Sequence, residues 1–167
     1  MPFTTQSPDL QERISLGLQS VIQTMLCPLT APGNGNYRLP AGQVYQQDLP
    51  IPTTGCMFPA VIVSIEGEIE QDDAVIAFGT DASIYPNLLS IVHTRDMWDQ
   101  HFQPAATYWR KQLSDLLRSL TTLPGCPEVY NVWCERRAVY HKEPRVTEYV
   151  TSDLLVRTHA AYARVVA

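Results

Sequence analysis

The chain has 167 residues, 45% of them hydrophobic and 17% charged, with a formal net charge of −5. Such a length and balance set one globular domain over residues 1–167, with a sizeable core, and exclude a disordered chain. The acidic excess excludes an overall basic footprint for nucleic acid, and no run of 18 apolar residues offers a helix that spans a membrane.

The first predicted element is a helix over "SPDLQERISLGLQSVIQTML". Ser7 can cap it, Pro8 suits the first helical position, and Asp9 and Glu12 favour the positive end of the helix dipole. Leu10, Ile14, Leu18, Val21, Ile22 and Met25 form one apolar stripe. Gly17 interrupts good helix formers at a cost of about 1 kcal/mol against alanine, unless close packing there needs a small residue.

Residues Cys27 to Gly55 are rich in proline and glycine and have no apolar period, which reads as a long extended arm with turns. A loop of that length in a compact domain either contacts a partner or wraps its own domain. Next, "FPAVIVSIEGEIEQDD" alternates Val61, Val63, Ile65 and Ile69 with Ser64, Glu66, Glu68 and Glu70, the pattern of a strand with one wet face. A second strand is expected from Leu88 to Thr94, with Pro86 tolerable only near a strand end or edge.

The second helix is predicted over "QPAATYWRKQLSDLLRSL", with Pro104 in its first turn. Phe102, Ala105, Trp109, Leu113, Leu116, Leu117 and Leu120 line one face. "EVYNVWCERRAVYH" reads as a third strand. "YVTSDLLVRTHAAYARVV" reads as a fourth, although Leu154, Leu155, Thr158 and Tyr162 also match a helical stripe; β-branched and aromatic content favours the strand. The expected fold is α+β: a small, mostly antiparallel sheet with two helices packed on one face, plus the long arm.

Candidate chemistry is sparse. The stretch "SIVHTRDMWDQHF" gathers His93, Asp96, Asp99 and His101, and a small metal-dependent hydrolase using His93, Asp96 and His101 is one reading. The two histidines are eight positions apart and straddle a predicted strand–helix junction, not one helix turn, so a structural junction is the preferred reading. Cys134 beside Glu135, with His141 nearby, raises a thiol nucleophile, but Cys134 shares a strand face with Val132 and reads as buried. The four cysteines, at 27, 56, 126 and 134, match no zinc or redox spacing, and no phosphate-binding glycine loop or serine-hydrolase elbow is present. No metal, cofactor or catalytic residue is therefore expected. The opening "PFTTQSPDLQER" lacks the features of a signal peptide, so a protein made in the cytoplasm with reduced thiols is expected.

The acidic run Glu66, Glu68, Glu70, Asp72 and Asp73 is either a solvated face or a negative surface that repels phosphate or binds a basic partner. A small sheet also has edges to protect, and pairing between copies is one way to do so.

The order helix, strand pair, helix, strand pair resembles the tail terminator (tail-completion) proteins of tailed bacteriophages. The stretches that carry the likeness are "FPAVIVSIEGEIEQ", "NLLSIVHTRD", "PAATYWRKQLSDLLRSL" and "VYNVWCERRAVYHKEPRVTEYVTSDLLVRTHAAYARV", within residues 8 to 166. The arm at 27–55 has no counterpart in the resemblance. The likeness implies a non-enzymatic virion protein of the tail or neck. It would form a homo-oligomeric, hexameric ring that ends the tail tube, meets the tube protein and a neck or stopper protein, and leaves a channel for genomic DNA. A head-closure (stopper) or other neck protein is the rival within this class. On this reading Glu66, Glu68, Glu70, Asp72 and Asp73 line the channel or face a partner. Tyr37 and Tyr45 of the arm, and Leu155, Arg157 and Tyr162 of the last strand, make subunit contacts.

Overall fold

The computed structural model describes residues 10–25, 41–49, 52–71, 80–94, 103–140 and 149–163. In chain order these form helix α1 (Leu10–Met25), a 3-10 turn (Ala41–Gln43) and strands β1 (Val44–Gln46), β2 (Ala60–Ile65), β3 (Glu70–Gln71) and β4 (Thr80–Thr94). Helix α2 (Gln103–Arg118) and strands β5 (Val129–Tyr140) and β6 (Tyr149–Ala163) follow. One sheet contains every strand, in the order β1-β2-β4-β6-β5, with β3 pairing β4 beyond the end of β2. Only β1 and β2 run parallel; the other pairs are antiparallel. The α+β class and the strand reading of the last segment both hold. The capping residues Ser7, Pro8 and Asp9 lie outside the described residues.

Both helices pack on one face. Leu10, Ile14, Leu18 and Ile22 of α1 and Trp109, Leu113 and Leu117 of α2 join Val61, Val63, Leu89, Ile91, Leu154 and Val156 in one buried cluster. These are the apolar stripes of the two helices and alternate residues of the strands, as their periods require.

Three strand expectations are corrected. First, β2 has no wet face: Ala60 to Ser64 are all buried, and their partners Ser90 and Val92, on the face away from the helices, are buried too. Its alternation ends at Ile65, and Glu66 and Glu68 belong to the turn that follows. Second, the strand expected from Leu88 begins at Thr80, so Pro86 sits inside a central strand. The carbonyl oxygen of Pro86 accepts from the Glu66 amide at 3.0 Å. In an antiparallel strand N–H and C=O of one residue point to the same neighbour. The missing proline donor therefore faces the gap between β2 and β3, and the β4–β6 ladder loses nothing. Third, the arm contains a 3-10 turn and β1, whose three residues pair with Val61 to Val63. So short a strand carries no period of its own.

α1 is located by polar contacts as well as by packing. Asn87, fully buried, donates through Nδ2 to Ser15 Oγ at 2.8 Å and to the Ser64 carbonyl at 3.2 Å. Ser15 Oγ in turn donates to the Gln11 carbonyl at 3.1 Å. Buried polar groups are costly unless so paired, so this seam specifies how the helix sits on the sheet. At the other side of α1, Arg13 grips Glu128 with Nη2–Oε1 at 3.0 Å and Nη1–Oε2 at 3.3 Å, and donates to the Gly125 carbonyl at 3.1 Å. Gly17 meets the same turn: a Cβ there would lie 3.0 Å from the Pro124 oxygen and 3.3 Å from Leu123 Cβ. The helix glycine thus answers to close packing.

This clasp can be tested at both of its contacts. Gly17→Ala gains about 1 kcal/mol of helix propensity but drives a methyl into backbone. We expect a net loss of about 1–2 kcal/mol in urea denaturation; a gain in stability would contradict the packing. The second test concerns acid. The side-chain hydrogen bond from Arg13 holds the Glu128 carboxyl below its ordinary value of 4.5 against a smaller opposing effect of burial, and a backbone hydrogen bond and then the Arg13 charge add less. A carboxyl with a depressed folded pKa contributes stability above its unfolded pKa and loses it as pH falls through the folded value. The stability difference between wild type and Glu128→Gln should be full above about pH 4.5 and shrink steadily below it. A difference independent of pH from 7 to 3 would contradict the pair.

Candidate functional site

The acidic turn leaves β2 at Glu66, and Gly67, at φ 74°, takes the left-handed conformation that redirects the chain toward β3. Glu66, Glu68 and Glu70 are all exposed. Glu70 accepts from Arg157 Nη1 at 3.2 Å, while Arg157 Nε lies 3.3 Å from Glu135 Oε1. One guanidinium on β6 is thus shared by carboxylates on β3 and β5, across the sheet face away from the helices. Half-exposed pairs of this kind contribute about 0–1 kcal/mol each. Glu66 and Glu68 have no cation partner among the described residues.

The opposite end of the sheet is β5, its last strand. Arg118, in the final turn of α2, donates from Nε and Nη2 to the Cys134 carbonyl at 3.1 and 3.0 Å. Its guanidinium carbon lies 5.1 Å from the Trp133 ring centroid, within range of a cation–π attraction. Trp133 is 49% exposed, a large apolar surface to leave in water. Tyr130, at a bulge in β5, meets His159 edge-on with centroids 6.0 Å apart. Earlier on α2, Arg110 has its Nε and Nη2 atoms buried without a hydrogen-bond acceptor among the described residues. Among the described side chains, Arg13, Lys111 and Arg157 have carboxylate partners and Arg110 and Arg118 do not. Unmatched cations therefore gather at the α2–β5 end, while the carboxylates without a cation among the described residues are Glu12 on α1, Asp48 after β1, and Glu66 and Glu68 on the β2–β3 turn.

The other expected contact residues are placed as follows. The Tyr45 hydroxyl accepts from the Met57 amide at 3.0 Å, and the Tyr162 hydroxyl lies 3.0 Å from Ser83 Oγ. Leu155 is 7% exposed and belongs to the sheet face opposite the helices. Tyr37, Asp72, Asp73, Asp96 and His101 lie outside the described residues, and His93, near the end of β4, is in register with Val150. Among the described residues no group of three or more His, Cys, Asp or Glu is placed to hold a metal ion. Cys134 is fully buried in the core, and Glu135 points to the opposite face, toward Arg157. Sequence reasoning passed over Trp133, Arg118 and Arg110. Alternation with buried Val132 and Cys134 already put Trp133 on the outer face; no periodicity announces that Arg118 reaches it.

No family model matches the chain, and no curated protein matches it. Among solved structures, a chain of the virion of a native gene transfer agent particle is similar over 73% of this chain and 81% of its own length, at 20% identity and a TM-score of 0.42. A likeness at that score carries no argument for function. Among the described residues, no helix is long and apolar enough to cross a membrane.

The shared guanidinium generates a test. Arg157→Ala removes the cation of Glu70 and one contact of Glu135 and should lower stability by about 1 kcal/mol or less, with the difference shrinking in 1 M salt as screening sets in. A loss several times larger, unaffected by salt, would show that Arg157 supports the fold through packing instead.

Proposed function

We propose that this chain is a structural, non-enzymatic virion protein of a tailed phage or phage-like particle. More specifically, it is a tail terminator that closes the tail tube as a homo-oligomeric ring, meets the tube on one side and the neck on the other, and leaves a channel for DNA. One observation carries the reading: α1, the strands β1 to β4, α2 and the pair β5 and β6 build a mostly antiparallel sheet with both helices on one face, over the stretches that resemble that family. The free end of the sheet at β5, with Trp133 exposed beside Arg118, is in keeping with a surface that another copy covers.

Light scattering after gel filtration, with negative-stain images of the same fraction, tests the proposal. The expected species has about six times the 18.8 kDa chain mass and a central hole, either alone or once tail tubes are added. A chain that stays monomeric in both conditions would contradict it.

A further inference from the structure

The described charges of this chain do not cancel locally: Glu12, Asp48, Glu66 and Glu68 have no cation, and Arg110 and Arg118 no carboxylate, among the described residues. Glu66 and Glu68 are exposed on the turn after β2, near one end of the sheet, and no cation among the described residues pairs with either. The cations without carboxylates, Arg110 and Arg118, are both on α2, which lies over β5 and β6 at the other end. Between β2 and β5 stand two strands, so the two groups are separated by three inter-strand steps, about 14 Å. They cannot neutralise one another within one copy without rearranging the sheet.

The α2–β5 end is also the less finished surface. Trp133 leaves half of its area in water, Arg118 lies over its ring, and two guanidinium nitrogens of Arg110 are buried with no acceptor among the described residues. Tryptophan, tyrosine and arginine are the residues that dominate binding energy at interfaces. Arg118 is exposed and uses only Nε and Nη2 on the Cys134 carbonyl, which leaves Nη1 to meet a carboxylate from outside the chain.

We propose that copies of this chain associate head to tail, the α2–β5 end of one copy, with Arg118, Arg110 and Trp133, receiving the acidic β2–β3 turn, with Glu66 and Glu68, of the next. The two surfaces are different patches of the same chain. The contact is therefore heterologous and propagates until it closes into a ring. This deepens the ring reading above and rests on it. It puts Glu66 and Glu68 between copies instead of on the channel wall, and it leaves Glu70 to its bond with Arg157 inside each copy.

The test is a charge-reversal mixture read by light scattering. In Arg118→Glu every contact sets the introduced carboxylate against Glu66 and Glu68; in the double variant Glu66→Lys, Glu68→Lys every contact sets lysines against Arg118. Each variant alone should run as a monomer under conditions where wild type assembles. Mixed in equal amounts, they should assemble, because copies in alternation no longer set like charges against each other at every contact: the introduced carboxylate meets the introduced lysines at one contact and Arg118 meets Glu66 and Glu68 at the next. Thermal melts of each variant alone check that it is folded, and Arg110→Glu replaces Arg118→Glu if the latter is not. Rings formed by each variant alone, or monomers that persist after mixing, would overturn this contact while leaving the ring intact for wild type. A wild type that never assembles, even with tail tubes, would overturn the ring reading and the contact with it. A lumenal role for Glu66 and Glu68 makes the opposite forecast: the lysine variant assembles normally and only DNA passage suffers.

Discussion

The antiparallel ladder between β4 and β6 is the constraint on which the rest of the molecule depends. It is continuous from Thr80 opposite Ala163 to Thr94 opposite Tyr149, without a bulge. A slip of β6 by one residue would turn Leu154 and Val156 away from the helices and bring Asp153 and Leu155 toward them. Everything else is attached to this pair of strands. β2 and β3 line one side of β4, β5 lines the free side of β6, and the two helices cover the single face on which the ladder's apolar residues meet. Asn87 lies within the ladder and reaches α1 through Ser15, so the register of the strands also determines the seat of the helix.

That architecture has an electrostatic consequence. Its internal pairs, Arg13 with Glu128 and Arg157 with Glu70 and Glu135, join elements that the fold already brings together. The charges left over include carboxylates on the turn that ends β2 and guanidiniums on the helix that covers β5. A net charge of −5 favours keeping isolated copies apart, so association needs such local complementarity together with apolar area. Trp133 supplies the apolar area. Exposed edge strands are a hazard unless covered, and a specific neighbour is one way to cover them.

Much of this was legible in the residues, and the failures have physical reasons. The stripes Leu10–Ile14–Leu18–Val21–Ile22 and Trp109–Leu113–Leu117 located both helices and their buried faces, because a helical period over several turns is a strong signal. The last segment, compatible with a helical stripe, is strand β6; its pairing with both β4 and β5 overrides the stripe. β4 was foreshortened because Pro86 is a strand breaker in general and harmless only where its missing donor meets a gap, a fact of topology. The wet face expected for β2 failed because polar Ser64 lies on a face that is buried across β2 and β4, where Ile62, Ser90 and Val92 are also withdrawn from water. β1 was hidden in the arm, its three residues too few for any period. The expected acidic surface was visible as composition, but that Glu70 belongs to Arg157 while Glu66 and Glu68 stay unmatched among the described residues depends on contacts 87 residues apart in the chain.

The most direct measurement of the central claim is a single-particle reconstruction of the wild-type assembly. The expected result is a closed ring with one repeated contact, in which Arg118 and Trp133 of each copy face the 66–68 turn of its neighbour and β5 pairs with no other β5. A two-fold dimer that joins β5 to β5, with Glu66 and Glu68 left in solvent, would contradict it.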